Sequence, residues 1–256
     1  VEHGILATSV ADAAVGFAVL AGANPTRLTE PSRLRVAVSL RSPVTGVRAD
    51  AANREAVANT ARLLVGVGHG TVRADPTYPT WLGLRGLATW FAAAYRDLEA
   101  LRVDRRTLQP RTRRHAALGR WAWERGLVRE RDRERWRESC LAFFDSFDVL
   151  LTPALAGPPP PAREWSRRSW QANLVANLRY APFAAPWNVA GFPAVTVPVG
   201  VRPDGLPLGV QLVAPPGAER LLLAVAGQIE LAAPWRRHAP GWPRHRSLPS
   251  TVRGGS

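Results

Sequence analysis

With 46% hydrophobic side chains, the 256 residues hold enough apolar matter for a buried core, and a globally disordered chain is excluded. Every basic side chain is an arginine, 34 against 20 acids for a formal net charge of +14, and there is neither lysine nor methionine. Chemistry that needs a neutral amine as proton acceptor is therefore closed to these residues, because a guanidinium stays protonated at every relevant pH. No apolar run approaches the ~20 residues that cross a bilayer, and Val1-Glu2-His3-Gly4 opens with neither a basic nor an apolar leader region. The single cysteine, Cys140, cannot form an internal disulfide. A cytoplasmic setting and no membrane partner are expected. The missing initial methionine leaves two readings open, a chain that begins inside a longer reading frame or a valine start.

In chain order, Thr8 or Ser9 can cap a helix, with Asp12 placed for a capping box on Ser9. Val10, Ala13, Ala14, Phe17 and Leu20 form its apolar stripe, and Gly22 can stop it. Leu34 to Leu40 alternates and is β-rich. Asp50 opens a second helix carrying Val57, Ala61, Leu64 and Val65, which Gly68-His69-Gly70 ends before a short strand at 71–74. Helices are predicted over 81–101 and, in one or two pieces, over 115–147. On the latter, Trp136, Cys140, Phe143 and Phe147 recur at helical spacing and define one buried face, which makes Cys140 a core residue and not a nucleophile. The run at 148–155 (DVLLTPAL) reads as a buried strand, 157–161 as a loop and 170–180 as a helix. Strands at 194–199 and 208–213 flank a turn at Pro203-Asp204-Gly205, and a helix at 218–231 offers Leu221, Leu222, Val225 and Ile229 to the core. The pattern is α/β, in one domain over 1–240 with a frayed Arg/Pro/Gly-rich tail at 241–256.

The charge invites a nucleic-acid reading, with Arg102, Arg105, Arg106, Arg111, Arg113, Arg114 and Arg120 as the densest uncompensated group. From 125 to 138, however, arginines alternate with Glu130, Asp132, Glu134 and Glu138, and Glu130/Arg133 and Glu134/Arg137 are i,i+3 pairs of a solvated helix face. A nucleic-acid partner is therefore not expected.

Residues 188–213 read NVAGFPAVTVPVGVRPDGLPLGVQLV. Their N-x-x-G-x-P-A-x-x-V-P-x-G core, followed by G-L-P-x-G-x-Q, resembles the C-terminal region of the amidase signature family. The motif positions are Asn188, Gly191, Pro193, Pro198, Gly205, Gly209 and Gln211. Gly191 and Pro193 would break the chain before the strand, Pro198 would end the strand's donor capacity at its far end, Gly205 would supply a positive φ to the hairpin and Gly209 would permit close backbone approach. Three further stretches agree in order: 3–20 resembles the family's H-G-x-L-x-x-T-V-A-D-A-A helix, 34–75 its strand–helix–strand unit, and 147–153 (FDVLLTP) its F/Y-D-x-L-L-x-P strand. The resemblance implies part of the family's mixed-sheet α/β fold with helices packed around it, without the N-terminal half.

Members of this family cleave amides with a Ser–cis-Ser–Lys arrangement and a Gly/Ser-rich oxyanion loop. Those parts precede the helix matched here, so the resemblance implies no catalytic residue in this chain, no metal and no cofactor. Gly254-Gly255-Ser256 is only a superficial echo of that loop. His3, His69, His115, His238 and His245 form no zinc pattern, and G-x-S-x-G is absent. By resemblance, the segment leading into Asn188 passes close to substrate. Tyr180, Phe183 and Trp187 are then pocket candidates favouring an aromatic or apolar amide, although core packing explains the same residues. No acid stands between Tyr180 and Val189, which weighs against the glutamine-amidotransferase branch.

Three functions stay open: a truncated or split amidase completed by an N-terminal half, a catalytically dead remnant or binding protein, and an Arg-driven nucleic-acid binder. Half of such a sheet would expose strand edges and apolar faces, so an oligomeric, sticky or poorly soluble product is expected.

Overall fold

A computed structural model describes residues 4–24 and 28–237. The tail at 241–256, His3, His238 and His245 lie outside the described residues.

Ser9 caps α1 (Val10–Leu20) by accepting from the Asp12 N–H, while its hydroxyl donates to the Asp12 carboxylate at 2.7 Å. Strands β1 (Arg35–Val38) and β2 (Gly70–Arg73) pair in parallel around α2 (Ala51–Gly66), which Asp50 caps. Next come α3 (Leu82–Ala100), α4 (Pro110–Glu124) and α5 (Glu130–Phe144), then β3 (Val149–Pro153) and α6 (Trp170–Tyr180). The chain closes with α7 (Ala185–Ala190), the hairpin of β4 (Ala194–Val201) and β5 (Pro207–Val213), and α8 (Glu219–Ala232). The strands order as β2-β1-β3-β5-β4. β3 runs parallel to β1 and antiparallel to β5, so this is a mixed α/β sheet whose direction changes beside β3.

Alternation along the strands sorts the core into two layers. Val36, Val149, Leu151, Val210 and Leu212 meet α1, α2 and α8 on one face. Ala37, Leu150 and Val213 meet Leu82 of α3, Trp136 and Phe144 of α5 and Trp187 of α7 on the other. β3 is buried along its whole length, as expected for a strand covered on both faces.

Several sequence expectations shift. The second of the middle helices starts at Pro110, five residues before His115, because a proline at the first helical position has no N–H to leave unbonded. It is separate from α5, with Gly126 at φ +63° in the break. Leu20 and Val65, assigned to inward stripes, point out at 55% and 52% exposure. Trp136 and Cys140 of the expected α5 face are buried and Phe143 and Phe147 pack half-buried against the same core, while Phe144, not assigned to that face, is buried deeper, stacked on Phe192 at 5.7 Å. β4 runs two residues beyond the expected 199, to Val201, past a register shift between Pro198 and Gly200; Pro198, which has no N–H to donate, is tolerated because β4 is an edge strand among the described residues. The short α7 went unread by periodicity, since six residues are too few to show a stripe.

α4 packs against α3 at Gly119, where a methyl group would overlap the backbone carbonyl of Phe91. Gly119→Ala therefore has to push the two helices apart. We expect it to cost about 1–3 kcal/mol, the usual range for overpacking, read as a lowered midpoint in thermal or urea unfolding. An unchanged midpoint would contradict this packing.

Candidate substrate-binding segment

The motif-bearing stretch from Tyr180 to Pro193 crosses from α6 to the edge strand, and backbone and side-chain bonds fasten it along its length. The Tyr180 carbonyl accepts from the Ala156 N–H at 2.9 Å, and the Ala156 carbonyl accepts in turn from the Asp50 N–H at 2.8 Å. Gln211, buried on β5, donates through Nε2 both to the Phe183 carbonyl at 3.1 Å and to Thr152 Oγ1 at 3.2 Å. The last glutamine of the motif thus ties the segment to the two central strands, which explains why an amide is placed there: its N–H2 donates to two acceptors at once.

α7 is held from the other side by α5. Trp136 Nε1 donates to the Pro186 carbonyl at 2.8 Å, Arg133 Nε to Val189 at 3.1 Å and Arg137 Nη1 to Ala190 at 3.2 Å. Two cations thus bond carbonyls that the end of a short helix leaves without intrahelical partners. Gly191 closes the helix in the left-handed region, at φ +70°, and a Cβ there would lie 3.5 Å from Arg133 Nη2. The alternating charges of α5 are therefore not simply a solvated face. Glu130 pairs with Arg133 at 3.3 Å, as its spacing indicates, but Arg137 turns to Ala190 and the Phe192 ring instead of Glu134.

The three aromatic candidates separate. Tyr180 is half-buried at the end of α6. Phe183, fully buried, packs with Ala49 and Ala156. Trp187 is 1% exposed and sits in the other cluster against Trp136, Phe144 and Phe192. Of the remaining motif positions, Asn188 is exposed on α7 and Pro193 half-buried at the start of β4. Gly205 turns the hairpin at φ +83°. A Cβ on Gly209 would come within 3.3 Å of Thr196 and 3.4 Å of the Val197 carbonyl.

Tyr78 is a neighbour that no motif marks. Its ring meets Trp136 and Trp187, and burial drives its phenol well above the ordinary range. Burial likewise pushes the Cys140 thiol up to about 12, which keeps it protonated and unreactive at neutral pH. The two histidines within the described residues are both structural. His69 accepts from the Leu34 N–H at Nδ1 and meets Gln228 Oε1 at 2.8 Å through Nε2, so the proton resides on Nε2. His115 lies edge-on to Trp90 and Phe91, and burial lowers its pKa. Among the described residues no three His, Cys, Asp or Glu side chains gather as a metal site.

With this geometry in place, comparison with known proteins assigns the family. The family model for Amidase matches residues 1–223, and the chain belongs to this family. AmiB2 of Mycobacterium tuberculosis, named as an amidase, is 36% identical over 213 residues, covering 82% of this chain and 46% of its own. AmiA2 of the same species, named likewise, is 32% identical over 255 residues, covering 93% and 52%. The chain therefore spans about half the length of the curated relatives it matches. Its fold is that of solved amidase-signature enzymes. 6-Aminohexanoate cyclic dimer hydrolase aligns with TM-score 0.72 at 23% identity over 89% of this chain and 54% of that one. A bacterial aryl acylamidase aligns with TM-score 0.63 at 20% identity over 89% and 52%.

Two outcomes check this site. Cys140 should stay unlabelled by a maleimide in the native protein and react on adding denaturant; fast native labelling would refute its burial. Asp50, although burial raises its pKa, is held below the usual carboxylate value by bonds from Asn53 and by Arg202, whose Nη1 lies 2.9 Å away. A folded-state pKa below the unfolded one means that this stabilisation is present above about pH 4 and lost as pH falls through the folded value. Asp50→Asn should lower stability at neutral pH and flatten the acid limb of a stability–pH curve. A parallel downward shift at every pH would count against the ion pair.

Proposed function

We propose that this chain is the substrate-facing part of a carboxylic amide hydrolase that cleaves the C–N bond only when another chain or segment supplies the Ser–Ser–Lys machinery. The observation that carries this reading is the combination of family membership, about half the relatives' length, and a sequence with no lysine to serve as the base. The described residues offer no substitute: Cys140 is held protonated, and His69 is spent on structural bonds.

In the complete enzyme the segment from Tyr180 to Trp187 would form one wall of the pocket. Tyr180 is the candidate for direct contact, while Phe183 and Trp187 back the wall from the two cores and Gln211 fixes its height above the sheet. Its apolar surface suits an aromatic or otherwise apolar acyl or amine group. The partner would be a separately supplied N-terminal amidase half or, failing that, a second copy covering the same faces. The single, buried Cys140 supports a reducing, cytoplasmic setting.

The test is complementation. The purified chain alone should give no hydrolysis of aryl or alkyl amides. Co-expression with the portion of AmiB2 that this chain does not match should restore turnover and fluorophosphonate labelling of a serine on the added portion. Turnover by the chain alone would overturn the proposal. A stable complex without labelling would favour the second reading, a remnant that binds without catalysis. In the restored enzyme, Gln211→Leu should mainly raise KM by letting the wall move; a pure kcat effect would place Gln211 nearer the chemistry.

A further inference from the structure

The α3–α4 hairpin is not absorbed by any of the roles above. From Leu82 to Gly126 it carries ten arginines against four acids, a net +6 of the chain's +14 in 45 residues. α4 packs on α3 through Ala116, Gly119 and Ala122. Arg114, Leu118, Trp121 and Arg125, spaced four, three and four apart, therefore lie along its opposite flank. All four are exposed, Trp121 by 50%. At the hairpin tip Leu101 is 74% exposed beside Arg102, Arg105 and Arg106. Two of the acids are already engaged, Glu99 with Arg105 and Glu124 with Arg120. Among the described residues the guanidinium groups of Arg102, Arg106, Arg113 and Arg114 have no acidic partner, although the Arg106 N–H donates to Asp104.

We propose that the outward flank and tip of the α3–α4 hairpin form a landing surface for an anionic lipid bilayer. Guanidinium groups would grip headgroup phosphates in the bidentate way open to Arg, while Leu101, Leu118 and the Trp121 indole enter the headgroup–acyl boundary. No helix among the described residues is long and apolar enough to cross a membrane, and this mode needs none, since the hairpin lies on the surface. Two observations favour lipid over nucleic acid. Exposed leucines gain nothing from bases. One face of each indole already carries an arginine, Arg125 over Trp121 at 5.8 Å and Arg96 over Trp123 at 5.0 Å, which leaves a single face where a base would stack.

Co-sedimentation of the full chain with phosphatidylcholine vesicles, with and without phosphatidylglycerol, tests the proposal. Binding should require phosphatidylglycerol and weaken with salt. The double variant Leu118→Ser/Trp121→Ser should lose most of it with an unchanged circular dichroism spectrum. Arg114→Gln and Arg125→Gln should each weaken it about fivefold, the effect of one surface charge. An equal loss in Arg33→Gln/Arg73→Gln, off the hairpin, would reduce the effect to bulk charge and overturn the localisation. Absence of binding, full binding by the Ser variant, displacement from vesicles by a single-stranded oligonucleotide, or a Ser variant that only dissociates an oligomer would each overturn the proposal.

Discussion

The structure turns on β3. Its five residues are buried along their whole length, between a parallel neighbour and an antiparallel one. Val149, Leu150 and Leu151 each remove an aliphatic side chain from water, worth about 1.5–3 kcal/mol apiece, and they do so into opposite layers. Asp148, just ahead of the strand, accepts from the Arg35 N–H at 2.7 Å, while its own N–H donates to the Arg35 carbonyl at 2.9 Å. The register of β1 against β3 is thereby set at its first rung. Displacing β3 would unseat β1 and β5 together, and with them both layers of helices.

The same strand positions the segment from Tyr180 to Trp187. Thr152 shares Gln211 with the Phe183 carbonyl, and Ala156, just beyond the strand, holds the Tyr180 carbonyl. α5 fixes the far end through Trp136, Arg133 and Arg137. A segment bonded at both ends to rigid elements is a good platform for ligand contact, because little ordering entropy is left to lose on binding.

Arginine does three kinds of work in this lysine-free chain. Arg133 and Arg137 satisfy helix-end carbonyls, and Arg202, only 13% exposed at its side chain, ties the β4–β5 hairpin to the cap of α2 through Asp50. Others, such as Arg120 with Glu124, form exposed i,i+4 pairs of small energetic value. A third group, such as Arg114 and Arg125, lies on the exposed flank of the α3–α4 hairpin, beside Trp121 and Leu118. A single net charge does not distinguish these uses; the geometry does.

The capping box at Ser9, the strand at 148–155, the helix at 170–180 and the hairpin around Gly205 were all legible in the sequence, because each depends on spacing and turn chemistry within a few residues. Family membership was legible too, since four ordered motifs are a local record of one fold. The absence of lysine is read from composition alone. What the sequence did not disclose is which contacts the motifs serve. Arg137 reads as half of an i,i+3 pair with Glu134, and only the approach of α7 redirects it to Ala190. Phe183 and Trp187 look like one aromatic wall, yet the chain folds them into different cores. Phe144 joins Phe143 at the core, and is buried deeper, because Phe192, 48 residues on, stacks on it. Local pattern determines which elements form, but partners far apart in sequence decide where a side chain with two acceptable environments ends up.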